Sequence, residues 1–193
     1  MIDLSCPAQP GDLLCISYYD PDPAQAGIAL VEGVGVEHVA GSQGGRPIVQ
    51  ACVSGEMLGD VGDYMIRGNC DITIRRRIGI TPRQQVVAAA HALERVRRNT
   101  KYSFIGCARL GLILLARLFK LRGAALFLVR ILPDKWFGGL DFCSEARIDD
   151  LVYAHVMPQG TDPDDWSPSD VYESPLFETI AVWRGSKMAW EPR

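Results

Sequence analysis

The 193-residue chain lacks most of the patterns that disclose a function directly. Its six cysteines (Cys6, Cys15, Cys52, Cys70, Cys107 and Cys143) form no C-x-x-C pair. That removes the common zinc and dithiol signatures and reads as reduced thiols rather than a disulfide framework. There is no basic excess: 20 Lys and Arg against 23 Asp and Glu leave a formal net charge of -3. A dedicated nucleic-acid binder carries the opposite balance. Long uncharged apolar runs are also missing. The most hydrophobic stretch, "YSFIGCARLGLILLARLFKLRGAALFLVRILP", is interrupted by Arg109, Arg117, Lys120, Arg122 and Arg130. Its uncharged pieces fall short of the roughly 18 residues of a spanning helix. The start "MIDLSCPAQPGDLL" has no basic residues leading into an apolar run, so no secretory signal is read and a cytoplasmic location is expected. No internal repeat or low-complexity tract is present.

What is present fits one domain over 1–193, with 48% hydrophobic residues to build a core without a metal or a cross-link. Short apolar pieces separated by turn residues come first. "GDLLCISYY" (11–19), "VGVEHVAGS" (34–42), "PIVQACV" (47–53) and "DITIRRRIGI" (71–80) predict strands, and "MLGDVGDYMI" (57–66) predicts one or two helical turns. The chain then turns helical. Thr81 as N-cap and Pro82 at the first helical position open "TPRQQVVAAAHALERVRRN". A helical block follows over about 104–132, and a third helix over 142–156, where Asp149 and Asp150 are expected to meet water. "PQGTDPDDWSPSD" (158–170) reads as a loop and "PLFETIAVW" (175–183) as a last strand. Strands early and helices late predict an α+β fold.

The chemistry centres on "WFGGLDFCSEARIDDLVYAHV" (136–156), which places Cys143 at the first turn of a helix after a Gly-Gly loop. Unpaired N–H groups and the partial positive charge there stabilise a thiolate, although the same position also suits a small buried residue. Only three histidines are available as its base. His91 reads as an ordinary face residue of an alanine-rich helix. His155 follows Cys143 by twelve positions, about 18 Å along a continuous helix, too far to take its proton. His38 remains, on a predicted strand, with Gln50 on the next strand able to accept a hydrogen bond from its ring.

In their order along the chain, "PGDLLCIS", "EHVA", "IVQA", "KYSFIG", "DFCSEARIDDL" and "SPSDVYESPLFETI" resemble the permuted, YiiX-like branch of the NlpC superfamily of papain-fold cysteine hydrolases. The resemblance implies a circularly permuted papain-like fold, an antiparallel sheet or barrel packed against helices, with 104–132 as a helical insertion. It implies Cys143 as nucleophile, His38 as base, Gln50 as the orienting residue and Tyr102 as a hydroxyl near the oxyanion. The Cys143 backbone N–H is a second candidate oxyanion donor. The chain departs from the family pattern at Glu37, where a serine is common, and at Gln50, where a glutamate is common.

A thiol hydrolase acting on an amide or acyl bond is therefore expected, its substrate a peptide, cell-wall peptide or acyl lipid. Neither metal nor cofactor is needed. An acyltransferase, a lipid- or peptide-binding protein without turnover, and an interaction module with a vestigial site are the alternatives. From Arg95 to Pro133 the chain carries nine Lys or Arg and no acid. That segment suits either peripheral contact with an anionic membrane or pairing with the acidic C-terminal third.

Overall fold

Strand β1 (Pro10–Tyr18) is the organising element, because its five central residues are all buried, as expected of a strand covered on both faces. In this computed structural model, which describes residues 5–20, 35–36, 38–52, 55–100 and 143–192, β1 lies inside a seven-stranded antiparallel sheet. The other strands are β2 (His38–Gln43), β3 (Pro47–Cys52), β4 (Gly55–Asp60), β5 (Cys70–Arg77), β6 (Phe177–Arg184) and β7 (Ala189–Pro192), in the order β4-β3-β2-β1-β5-β6-β7. The α+β class is thus present. The predicted strands at 11–19, 47–53, 71–80 and 175–183 correspond to β1, β3, β5 and β6, and the glycine-containing piece at 34–42 contributes β2.

Register assigns the two faces, because cross-strand partners share a side. Leu13 pairs with Gly41 and Cys15 with Val39, and these residues face the helical layer. There Leu13, Cys15, Val36 and Val39 pack with Ala88, Ile148, Leu151 and Phe177. Ile16 pairs with His38 and Leu14 with Ala40 on the opposite face. Leu14, Ile16 and Ala40 form a second core there with Ile48, Val61, Met65, Ile72 and Trp183. A single sheet therefore separates two hydrophobic cores.

The segment 57–66 divides into strand and helix. Gly55–Asp60 completes β4, and α1 (Val61–Arg67) begins where Asp60 caps it by accepting from the Gly62 N–H at 2.7 Å. Arg46 grips the same carboxylate with two bonds of 2.9 and 2.7 Å. Gly68, at φ 64°, ends the helix in the left-handed region that glycine enters cheaply. Helix α2 (Pro82–Arg97) opens with the expected Thr81 cap and Pro82, and Gln84 closes a reciprocal capping box.

Helix α3 (Cys143–Tyr153) ends earlier than its sequence pattern suggests, and His155 sits beyond it with φ 56°. The predicted loop at 158–170 contains a short 3-10 turn (Pro163–Asp165) and the start of helix α4 (Pro168–Glu173). Ser167 and Asp170 form a capping box for α4, whose polar composition reads as loop when taken alone. Tyr102, Glu37, Cys107, the Gly-Gly loop and the block at 104–132 lie outside the described residues. Among those residues no helix is long and apolar enough to cross a membrane.

Candidate functional site

Cys143 is the first residue of α3 and is 5% exposed. Helical geometry stacks residues four apart on one face, so Arg147 lies one turn below it. The Arg147 side chain has no exposed surface. Its Nη2 donates to Glu56 on β4 at 2.6 Å, and Nη1 lies 3.3 Å from Asp150 and donates to the Val49 carbonyl at 3.4 Å. Gly41 makes room for this side chain, since a Cβ at that position would lie 3.0 Å from Nη1. Burial alone would lower the Arg147 pKa, but the charges of Asp150, Glu56 and a Cys143 thiolate outweigh it and raise the value.

The surrounding polar network corrects two expectations and agrees with one. Asp150 does not meet water: it is 4% exposed and accepts from the His91 ring at 2.8 Å as well as facing Arg147. The reason is that the first two turns of α3 are covered on nearly every side, so apolar spacing alone does not reveal their environment. His91 is more than a helix-face residue, since its ring also stacks on Tyr153 with centroids 4.1 Å apart. Arg95, from the basic segment, turns inward to Asp149 at 3.0 Å and to Glu56 at 3.5 Å, whereas Arg97 and Arg98 are exposed and pair with Glu94.

His38 and Gln50 come together on the other face of the sheet. The pairing of Ile16 with His38, and of Gly41 with Val49 and Ser42 with Ile48, carries His38 and Gln50 to the side of Ala40 and Ile48. Their side chains are hydrogen-bonded, an interaction that raises the proton affinity of the ring. Burial dominates in the opposite direction, and the nearby Arg147 guanidinium adds to it, so the His38 pKa is pushed down to about 4. The ring is therefore neutral at physiological pH. Its Nε2 is buried and has no hydrogen-bond partner among the described residues.

Gln50 is itself held, because the Tyr64 hydroxyl of α1 donates to its Oε1 at 2.5 Å. The predicted trio is thus divided. His38 and Gln50 are joined, while Cys143 sits on the helical side close enough to Cys15 to raise the pKa of that thiol, which burial, its main cause, and Cys143 together push up to about 12. Among the described residues Nε2 has no partner, so no hydrogen bond joins it to the Cys143 sulfur. Arg147, Glu56, Asp150 and Tyr64 had no assigned role in the sequence. The one available signal was the spacing of four that puts Arg147 under Cys143.

Chemically, the arrangement offers a thiol at a helix start next to a buried cation, and a neutral, oriented imidazole one strand position away from the Cys15–Val39 pair. Among the described residues, no group of three or more His, Cys, Asp or Glu is placed to hold a metal ion. No protein-family model, curated protein or solved structure matches the chain.

Proposed function

We propose that this protein is a thiol hydrolase acting on an amide or acyl bond, on a permuted papain-like arrangement in which the histidine strand precedes the cysteine helix. The observation that carries the reading is the setting of Cys143, the first residue of α3, with the fully buried Arg147 guanidinium one turn below it. A helix start and a neighbouring cation both favour the thiolate, the nucleophilic form of a cysteine.

In the reaction, the Cys143 thiol loses its proton to solvent and the thiolate attacks the substrate carbonyl carbon. The tetrahedral oxyanion collapses, the bond to the leaving nitrogen or oxygen breaks, and water returns a proton to the leaving group. Water then attacks the thioester and loses a proton to solvent, and expulsion of the thiolate frees the carboxylic acid. Arg147 favours the thiolate and opposes a His38 imidazolium, so a thiolate held beside the cation suits this site better than a Cys–His ion pair. The substrate class is a peptide amide or an acyl lipid.

Alkylation by iodoacetamide across pH, read by peptide mass spectrometry in wild type and Arg147→Met, tests the proposal. Cys143 is expected to react fastest of the six cysteines at pH 6.5 and to slow about tenfold in the variant, the equivalent of one pKa unit lost from the thiolate. A Cys143 no faster than the others, and indifferent to Arg147, would falsify it.

The second reading is a binding protein without turnover. It is favoured by the register that sends His38 and Cys143 to different faces of the sheet. A ligand co-purifying with the protein, together with an unreactive Cys143, supports that reading.

A further inference from the structure

Arg147 serves Cys143 with a charge that two carboxylates already claim. Glu56 takes the larger share: its Oε1 accepts from Nη2 at 2.6 Å, whereas Asp150 stands 3.3 Å from Nη1 and is also bound by the His91 ring at 2.8 Å. The Arg147 and Glu56 side chains are 0% and 2% exposed, so water and salt screen this pair little. The other cation near Glu56, Arg95, lies farther off at 3.5 Å and is drawn to Asp149 at 3.0 Å. Glu56 itself is fixed by β4, pairing with Ala51 and donating its N–H to the Thr100 carbonyl at 2.8 Å. Against the opposing effect of burial, Asp150, Glu56 and a Cys143 thiolate all raise the Arg147 pKa, so the three draw on one positive charge.

We propose that Glu56 is a positioning residue for the Cys143 nucleophile: it anchors the Arg147 guanidinium and, by its own charge, limits how much of that cation's field reaches the sulfur. Guanidinium and carboxylate act on the sulfur as a partly neutralised pair. Removing the carboxylate charge while keeping its acceptor leaves the full cation to the thiolate. Glu56→Gln does this, because an amide oxygen still accepts from Nη2, and among the described residues Glu56 Oε2 has no hydrogen bond for the NH2 group to break. The thiolate is the form that oxidants attack, so a carboxylate that restrains ionisation also protects the sulfur between turnovers. The consequence for turnover rests on the hydrolase reading above, but the charge coupling does not.

The test is the pH profile of Cys143 alkylation by iodoacetamide, read by peptide mass spectrometry on the intact protein, in wild type, Glu56→Gln and Asp149→Asn. Glu56→Gln is expected to lower the midpoint of the profile by about half a pH unit, so that Cys143 reacts about threefold faster at pH 6.5 while the alkaline plateau keeps its wild-type rate. A packing defect acts otherwise, raising the rate at every pH by opening the site. Asp149→Asn removes a carboxylate that is 39% exposed and binds Arg95 instead of Arg147, and there the midpoint is expected to stay in place. If Glu56→Gln does not fold, Asp150→Asn, which discharges the other carboxylate on Arg147, stands in with the same expected direction. A midpoint that stays or rises, or that Asp149→Asn lowers as far, overturns the proposal. A lowered midpoint on a Cys143 that is no faster than the other cysteines in wild type leaves the role of Glu56 standing and removes the hydrolase reading. A fast wild-type Cys143 with an unmoved midpoint does the reverse.

Discussion

Acidifying the protein from pH 7 to pH 5 is expected to cost it stability through His38 alone. The ordinary imidazole pKa of 6.5 is lowered to about 4 in the fold, chiefly by burial and then by the Arg147 guanidinium. Between those two values the unfolded chain binds a proton that the folded chain refuses, so stability rises with pH through the window and is lost as pH falls through it. The full gap corresponds to about 3 kcal/mol, and at pH 5 about 2 kcal/mol of it has already gone. Below pH 4 both states are protonated and the loss stops growing. Urea unfolding followed by tryptophan fluorescence suits the measurement, because Trp183 is buried in the core beside this face. Wild type and His38→Asn are compared at pH 7, 6 and 5, so that His91, His155 and the carboxylates cancel in the difference. The expected result is a variant whose stability falls by about 2 kcal/mol less than that of wild type between pH 7 and 5. Parallel curves would show that His38 is solvated and freely protonated in the fold, and the reasoning about its neutral state would fail with them.

Removing the buried cation is expected to be costly. Arg147→Met leaves Glu56 and Asp150 partly compensated by Arg95 and His91, so a loss of about 3 kcal/mol by chemical denaturation is expected, the lower end for a broken buried pair. Adding Glu56→Gln should recover part of it. Gly185→Ala is expected to destabilise by about 1–3 kcal/mol, since its Cβ would come 2.4 Å from the Cys70 carbonyl oxygen. Thr81→Ala should lower stability by about 1 kcal/mol through loss of the α2 cap, seen as a shift in the urea midpoint at unchanged slope. Cys15, with its thiol pushed up to about 12, should resist alkylation up to pH 9 in the folded protein.

The elements whose signals are local were legible in the sequence. β1, β3, β5 and β6 carry alternation or apolar runs bounded by turns, and α2 carries its cap and proline. β4, β7 and α4 were not. The first two are edge strands with little apolar pattern, and α4 is six polar-rich residues held by a capping box. In the site, the pairing of His38 with Gln50 follows from adjacent strands, which sequence order suggests. Which face of the sheet each residue occupies depends on register, and a slip of one position exchanges the faces. That is why a cysteine and a histidine picked out together lie against different cores. The burial of Asp150 was hidden for a related reason: a helix covered all round has no polar side for the pattern to mark.

The central position of β1 bears on how the chain acquires its structure. Its partner β5 is closed by β6 from the far end of the sequence, with Arg184 bound to Asp71 across 113 positions. Long-range pairing of this kind slows folding, because a large loop must close before its contacts contribute. During synthesis the outer edge of β5 stays open until Phe177–Arg184 has emerged. A nascent chain that has already made Cys143 still exposes the strand that β6 will cover, and that edge is where a truncated product is expected to aggregate.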